Sequence, residues 1–142
     1  MNKRTILISL LSIVLLILAG CVTTLQNYKP KDTNEVAIKA LLLKWESTWN
    51  SHDTNGVLAL LNDKAQMMYG KDRKIATKEK YSKILPERMK AHPKINLGTP
   101  TIKASGSKAD VTVNMSFRSH QTTTTFSLIN ENGIWSIIGW KY

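Results

Sequence analysis

The sequence predicts an α+β fold in which a long N-terminal helix and two further helices pack against one face of a strongly curved, mainly antiparallel sheet. Two patterns predict this fold. Between residues 36 and 61, apolar side chains recur every three or four positions, which places them on one face of a helix. Between residues 94 and 140, one strand pattern follows another, with clean alternation of apolar and polar residues over 108–118. Such an order of elements is typical of an α+β domain.

The predicted first helix carries a broad apolar face. Asp32, three residues before Glu35, resembles a capping box at the start of this helix. Two tryptophans on the apolar face are a large hydrophobic surface, so the helix needs a broad partner surface. The residues of this face are Ile38, Leu41, Leu42, Trp45 and Trp49.

The two further helices are shorter. Asp53 can cap a second helix after the turn at residues 50–52, and Thr77 is the predicted N-cap of a third helix that runs to about Lys90. Pro86 falls inside the third helix. Because proline removes a backbone hydrogen bond and clashes with the preceding turn, we expect a kink or a break there. The apolar residues of the second helix are Val57, Leu58, Leu60 and Leu61, and those of the third are Tyr81, Ile84, Leu85 and Met89.

The strands are predicted from alternation, from β-branched residues and from the turn residues between them. A sheet of this kind can curve into a cone and enclose an apolar cavity against the first helix. In the strand over 108–118, the residues expected on the inner face are Val111, Val113, Met115 and Phe117. The predicted strands are residues 65–69, 73–76, 94–105, 108–118, 122–129 and 134–140.

The chain begins with the features of a bacterial lipoprotein signal. Two basic residues, Lys3 and Arg4, precede an apolar run over 6–18 that is too short for a comfortable membrane span. The run ends in Leu-Ala-Gly-Cys at 18–21, which resembles a lipobox, so Cys21 would become the lipidated first residue of the mature protein. Cys21 is the only cysteine, which excludes an intramolecular disulfide. The predicted organisation is a signal peptide over 1–20, a tether over 21–31 and one domain over 32–142.

Lipidation of Cys21 would anchor the protein to a membrane in the cell envelope. Each buried methylene contributes about 0.8 kcal/mol, so several acyl chains, palmitate among them, anchor firmly where one binds only marginally. Val22 follows the cysteine, which resembles the signal for delivery to the outer membrane, facing the periplasm, in a host with two membranes. A host with one membrane would display the domain outside the cell. In either place the protein does not meet nucleic acid.

The positive charge of the domain is concentrated in one segment. Between residues 71 and 94 there are nine basic side chains and three acidic ones. One interpretation is a surface that binds anionic envelope polymers or lipid headgroups, to which each nearby Lys or Arg contributes about 1 kcal/mol. The other is a solvated helix face that keeps the protein soluble.

Several segments resemble a known superfamily. The likeness covers roughly residues 32–142 and identifies the chain as similar to the SnoaL-like branch of the nuclear-transport-factor-2-like, cystatin-like proteins. This resemblance implies the cone fold described above, and homodimerisation through the outer face of the sheet. It says little about function, because this scaffold hosts isomerases, dehydratases, hydrolases and non-catalytic proteins. The segments that carry the resemblance are Trp49-Asn50, Asp53, Gly56, Asn62-Asp63-Lys64-Ala65 and Asn132-Gly133-Ile134-Trp135-Ser136-Ile137-Ile138.

Catalytic groups are scarce. Among ketosteroid-isomerase-like relatives, the resemblance places the general base near Tyr69 and the oxyanion donor near Trp45. An indole has no useful acid or base, and a phenol with a pKa of about 10 is a poor base at neutral pH. His52, His92 and His120 lack the spacing of a metal site, and no phosphate loop or nucleophile elbow occurs. The sequence therefore indicates no catalytic residue, no metal and no cofactor.

Three functions remain open from the sequence. The first is a non-catalytic, lipid-anchored domain that binds a small apolar ligand or a partner protein in or around the cone cavity. The second is an isomerase- or hydrolase-type enzyme that uses Glu46 or a histidine, although an exposed helix carboxylate and surface histidines are the simpler interpretation. The third is a basic interaction module for anionic envelope polymers. The residues that could line a pocket, or equally form plain core, are Trp45, Trp49, Met67, Tyr69, Tyr81, Met115, Phe117 and Trp140.

Overall fold

The computed structural model describes residues 24–118 and 120–142. It confirms the predicted fold class, with three α-helices and one curved, seven-stranded, mainly antiparallel sheet in the described part of the chain. The predicted signal peptide over 1–20 and the predicted lipidation site Cys21 lie outside the described residues. None of the described helices is long and apolar enough to cross a membrane.

Helix α1 spans Thr33–Asn50, and its apolar face is buried as the periodicity predicts. The Asp32 carboxylate accepts a hydrogen bond from the Glu35 main-chain N–H at 2.9 Å, which is the cap expected at this end. Glu35 does not complete the capping box. Its Oε2 instead accepts from the Lys31 N–H at 2.8 Å and from the Tyr28 hydroxyl at 2.6 Å. The start of α1 is therefore tied to the segment that precedes it.

One predicted helix boundary is wrong, and one predicted break is absent. Helix α2 spans Thr54–Ala59, so Leu60 and Leu61 are not helical, and Leu61 begins the first strand. Helix α3 spans Lys78–Ala91 and contains Pro86, where a kink or break was expected. The helix is not broken there. Pro86 lies on the exposed face, where water can satisfy the carbonyl that loses its donor, while the buried face of the helix continues on both sides.

Seven strands form one sheet in the order β2-β1-β7-β6-β5-β3, with β4 also paired to β5. Among the described strands, β1 and β7 alone pair in parallel. The predicted strand over 94–105 is two strands, because Pro100 lies between them and cannot donate to the ladder. The strands are β1 Leu61–Tyr69, β2 Lys74–Thr77, β3 Asn96–Leu97, β4 Thr101–Ser105, β5 Lys108–Ser116, β6 Gln121–Glu131 and β7 Ile134–Lys141.

The predicted tether packs against the domain from Thr24 onward. Leu25 is fully buried, and Thr24 forms an isolated antiparallel bridge with Gly98. The Lys39 ammonium group on α1 donates to the main-chain carbonyl oxygens of Gln26, at 2.8 Å, and of Tyr28, at 2.7 Å. Of the predicted tether, only residues 21–23 fall outside the described part of the chain.

Candidate ligand cavity

A cavity of about 350 Å³ lies between α1, α3 and the inner face of the sheet. This volume is near the lower end of the range of about 300–1,000 Å³ found for small-molecule sites. Helices α1 and α3 contribute two lining residues each, and the remainder come from the β1–β2 turn, the β5–β6 hairpin, β7 and the two residues His92 and Tyr142. The lining residues are Trp45, Trp49, Gly70, Lys71, Tyr81, Arg88, His92, Met115, Phe117, His120, Gln121, Thr122, Thr124, Trp140 and Tyr142.

Aromatic rings form the inner walls of this cavity. The Trp45 ring lies 5.0 Å from Phe126, 5.4 Å from Trp49 and 5.7 Å from Trp140, measured between ring centroids. Tyr81 meets Trp140 edge to face at 5.2 Å. Edge-to-face contacts at these distances are favourable beyond the area that they bury, so the walls are held in one arrangement.

Two of the three tryptophans in the cavity wall have satisfied indole N–H groups. The Trp49 Nε1–H donates to the His92 carbonyl oxygen at 2.8 Å, and the Trp140 Nε1–H donates to the Met68 carbonyl oxygen at 3.0 Å. Trp45 differs from them. Its side chain is only 2% exposed, and its Nε1–H has no acceptor among the described residues.

Thr124 on β6 is a second unsatisfied group in the cavity wall. Its neighbours point to the outer face of the sheet, where Thr123 donates to Asn114 Oδ1 at 3.0 Å and Thr125 pairs with Thr112 at 3.1 Å. Thr124 points inward, is 1% exposed, and its hydroxyl has no partner in the described part of the chain. A buried polar group left in this state costs about 1–3 kcal/mol.

Arg88, in the last turn of α3, brings a positive charge to the cavity. Its Nε–H is buried and has no acceptor among the described residues. Burial raises the pKa of Tyr81 above its ordinary value, and the Arg88 guanidinium beside the phenol opposes that rise. Of the residues that the structure describes, those lining the cavity include no Asp or Glu. The charged side chains that line the cavity are therefore cations, Arg88 and Lys71, in largely aromatic surroundings.

A cluster of three rings stands at one side of the cavity. His120 stacks on Phe117 with a centroid distance of 4.6 Å, and His92 lies 4.8 Å from Phe117 and 6.0 Å from His120. Partial burial lowers the pKa of His92, and the charges of Arg88 and His120 lower it further. Both effects favour the neutral form of the His92 imidazole. Exposed His120 lines the cavity, whereas the sequence favoured a purely surface position.

The structure brings together six of the eight residues predicted to line a pocket. Met67 and Tyr69 are not among the lining residues. Met67 is fully buried in β1, in register with Trp140, so it belongs to the core beneath the wall. Tyr69 ends β1 opposite Lys74 and is half-buried. The six that line the cavity are Trp45, Trp49, Tyr81, Met115, Phe117 and Trp140.

The two other candidate catalytic residues lie away from the cavity. Glu46 is half-buried and accepts a hydrogen bond from the Leu97 N–H at 3.4 Å, and burial raises its pKa. His52 is exposed in the turn after α1, with φ at 58°. The described residues contain no group of three His, Cys, Asp or Glu side chains that could hold a metal ion.

The sequence-based prediction missed the polar part of the cavity. Arg88 was one of nine basic residues in a charged segment, and Thr124 one of four consecutive threonines. Two signals were present. Arg88 is seven residues after Tyr81, which places both on the same face of α3, and Thr124 is in phase with the inward residues Phe126 and Leu128 of β6.

Known structures resemble this fold. A protein of unknown function with a cystatin-like fold from Nostoc punctiforme matches with a TM-score of 0.64 at 15% identity, over 79% of this chain and 91% of its own. A nuclear-transport-factor-2-like protein of unknown function from Shewanella baltica matches with a TM-score of 0.61 at 16% identity, over 79% and 94%. A candidate ketosteroid isomerase from Shewanella frigidimarina matches with a TM-score of 0.60 at 19% identity, over 74% and 94%.

No protein-family model matches the sequence, and no curated protein does so. The structural matches cover nearly the whole length of the proteins concerned, but their sequence identities lie below 20%. Likeness at that level establishes the fold, and it leaves the chemistry of the cavity to be argued from the residues of this chain. The chain therefore has the cystatin-like, nuclear-transport-factor-2-like cone fold that its sequence resembles.

Proposed function

We propose that this chain is a lipid-anchored protein of the cell envelope whose domain binds a small, largely apolar ligand in the cone cavity. The observation that supports binding most directly is the combination of aromatic walls with unsatisfied polar groups of Trp45 and Thr124. Ligand sites typically pair a mainly apolar lining with a few polar groups that orient the ligand. A plain packed core has no need of a volume of about 350 Å³.

The cavity favours binding over catalysis by a carboxylate or phenol base, and its two histidines, His92 and His120, pack against Phe117 at one side of it. Among the described residues, no carboxylate side chain lines the cavity. The Glu46 carboxylate lies outside the cavity and accepts a hydrogen bond from the Leu97 N–H. The Tyr81 phenol, with its raised pKa, stays protonated at neutral pH. A general base has to lie within hydrogen-bond reach of the proton that it removes and needs a pKa near the working pH.

Lipidation of Cys21 would hold the domain very close to the membrane. Thr24 is already fixed against Gly98, so only Val22 and Thr23 separate the acylated cysteine from the folded domain. The chain from Cys21 to Thr24, fully extended, reaches about 10 Å. The cavity would then lie close to the membrane surface, where apolar ligands leave the bilayer.

Dye binding to a protein that comprises residues 24–142 tests the cavity. This segment contains every residue that lines the cavity and every described contact that holds it. The neutral dye N-phenylnaphthylamine should increase its fluorescence when it enters the aromatic cavity. Phe117→Ala removes part of the wall and should weaken dye binding about fivefold or more. Ile134→Ala is the matched control, because Ile134 is 72% exposed on the β6–β7 hairpin. Absence of dye binding, or equal binding by both variants, contradicts the proposal.

The anchor needs a separate experiment on the full chain. Expressed in a bacterium that processes lipoproteins, the protein should incorporate a palmitate analogue and sediment with membranes. Cys21→Ser should abolish incorporation, because the thiol is the only site of acylation in the proposal. Incorporation that persists in this variant, or an unmodified mature N-terminus in the wild type, contradicts lipid anchoring and leaves the ligand proposal in place.

A further inference from the structure

We propose that the cavity selects ligands with a negatively charged acceptor group on an apolar body, and that Arg88, the Trp45 indole and the Thr124 hydroxyl bind the charged group. This inference rests on the proposed function, because it names the class of ligand that the same cavity takes. Small aromatic or medium-chain carboxylates are the class that fits.

The unsatisfied groups offer hydrogen bonds to an acceptor on a ligand. The indole N–H of Trp45 and the Nε–H of Arg88 can only donate, while the Thr124 hydroxyl can donate or accept. Trp45 and Thr124 are at least 98% buried, so neither side chain is open to bulk solvent. A neutral apolar molecule would leave all three groups unsatisfied. A carboxylate has two oxygens and about four lone-pair positions.

Arg88 has no acidic partner among the residues that the structure describes. Within the described part of the chain, no carboxylate lies within ion-pair distance of its guanidinium. Two exposed lysines of the same helix differ, since Lys83 pairs with Glu79 at 3.2 Å and Lys90 with Glu87 at 2.7 Å. Arg88 has apolar residues at i−4, i−3 and i+3, and a histidine at i+4. The sequence thus gives it no acidic neighbour on this face of α3.

Charge and shape together define the ligand. Lys71 in the β1–β2 turn also lines the cavity, so both formally charged side chains there are cations. Trp49, Phe117 and Met115 also line the cavity, and they offer apolar contacts and no charge. A ligand that satisfies both parts carries its charge at one end and an apolar ring or chain at the other.

Calorimetry with a matched pair of ligands tests this selectivity. Naphthoate and naphthalenemethanol share a ring system and differ in charge. Residues 24–142 should bind naphthoate about tenfold tighter or more, because hydrogen bonds to a charged group are stronger than those to a neutral one. Arg88→Met keeps an unbranched apolar side chain and removes the charge. This variant should lose the preference for naphthoate, with a much smaller effect on the affinity for the alcohol.

Two further variants make the test specific. Lys83→Met removes one positive charge from the exposed face of the same helix, and it should retain the preference for naphthoate. Trp45→Phe keeps an aromatic wall but removes the indole N–H, and it should weaken naphthoate binding about three- to thirtyfold with a smaller effect on the alcohol. Circular dichroism and thermal melting show whether each variant is folded. If Arg88→Met does not fold, Trp45→Phe carries the test.

The outcomes separate the two proposals. Equal affinity of the wild type for both ligands, or an unchanged preference in Arg88→Met, overturns the anion site while leaving cavity binding intact. A preference lost equally in Lys83→Met shows a general charge effect and also overturns it. If neither ligand nor N-phenylnaphthylamine binds the folded wild type, the proposed function itself fails.

Discussion

The indole Nε1–H of Trp49 donates to the main-chain carbonyl oxygen of His92 at 2.8 Å, which joins the end of α1 to the C-terminal end of α3. The next residue reinforces this junction. Asn50 Nδ2 donates to the Ile95 carbonyl oxygen at 2.9 Å, and the Ile95 N–H donates to Asn50 Oδ1 at 2.8 Å. These three bonds fix the segment after α3, and with it one side of the cavity.

Asn50→Ala should destabilise the domain by about 1–3 kcal/mol. The substitution removes both bonds to Ile95 and leaves its main-chain N–H and carbonyl, which belong to a fully buried residue, without partners. Urea unfolding monitored by circular dichroism measures the loss. Asn55→Ala, at an exposed position of α2, is the control and should change stability by no more than about 0.5 kcal/mol. Equal stability of the two variants would show that the junction contributes nothing.

Periodicity and turn chemistry were sufficient to predict most of the architecture. The buried face of α1 and the alternation of β5 are local patterns, and each is repeated often enough to outweigh a single exception. Leu61 shows where this fails. It continues the helical spacing of Val57, yet it starts β1 because its backbone pairs with Ile137 in β7, a contact that no local pattern contains.

The polar part of the cavity was harder to predict, because it depends on which groups remain without partners. Trp45, Trp49 and Trp140 are the same residue type, and only the placement of the His92 and Met68 carbonyls distinguishes them. Those carbonyls lie 43 and 72 residues away along the chain. A missing hydrogen bond is a property of the assembled fold and leaves no signal in a sequence pattern.

Gly139→Ala should destabilise the sheet by about 1–3 kcal/mol. A Cβ at this position would collide with the main-chain carbonyl oxygen of Gln66 on β1, and backbone cannot move aside as a flexible side chain can. The collision falls where β1 and β7 pair in parallel, next to the register shift between Leu61 and Gln66. Thermal melting measures the loss.

A second glycine gives the control for this substitution. Gly106 has φ at 58°, and no atom lies within 4 Å of the place that a Cβ would occupy. Gly106→Asn should therefore be tolerated, because asparagine adopts positive φ more readily than most residues. If Gly139→Ala melts at the wild-type temperature, the close approach of β1 and β7 at this position contributes nothing to the stability of the sheet.

The pH dependence of stability should contain a contribution from His92. Burial, Arg88 and His120 lower its pKa in the folded protein, whereas the unfolded chain keeps a pKa of about 6.5. The unfolded state therefore binds more protons between these two values, and the free energy of unfolding should fall as the pH is lowered through and below about 6.5.

His92→Gln isolates this contribution, because glutamine does not titrate and the main-chain carbonyl that accepts from Trp49 remains. The free energy of unfolding, measured from about pH 8 to pH 5, should vary less steeply in the variant than in the wild type. A slope unaffected by His92→Gln would mean that the histidine has the same pKa in both states.

The segment before α1 should behave as part of the domain and not as a free linker. Leu25 is 0% exposed and belongs to the main hydrophobic core, so Leu25→Ala should destabilise the protein by roughly 2–5 kcal/mol through the lost transfer energy and the cavity left behind. Gln26→Ala is the matched control, since its side chain is exposed and only its main-chain carbonyl accepts from Lys39. Urea unfolding of both variants decides between the two descriptions. A free linker would tolerate both substitutions equally, whereas a packed segment loses stability only when the leucine is removed.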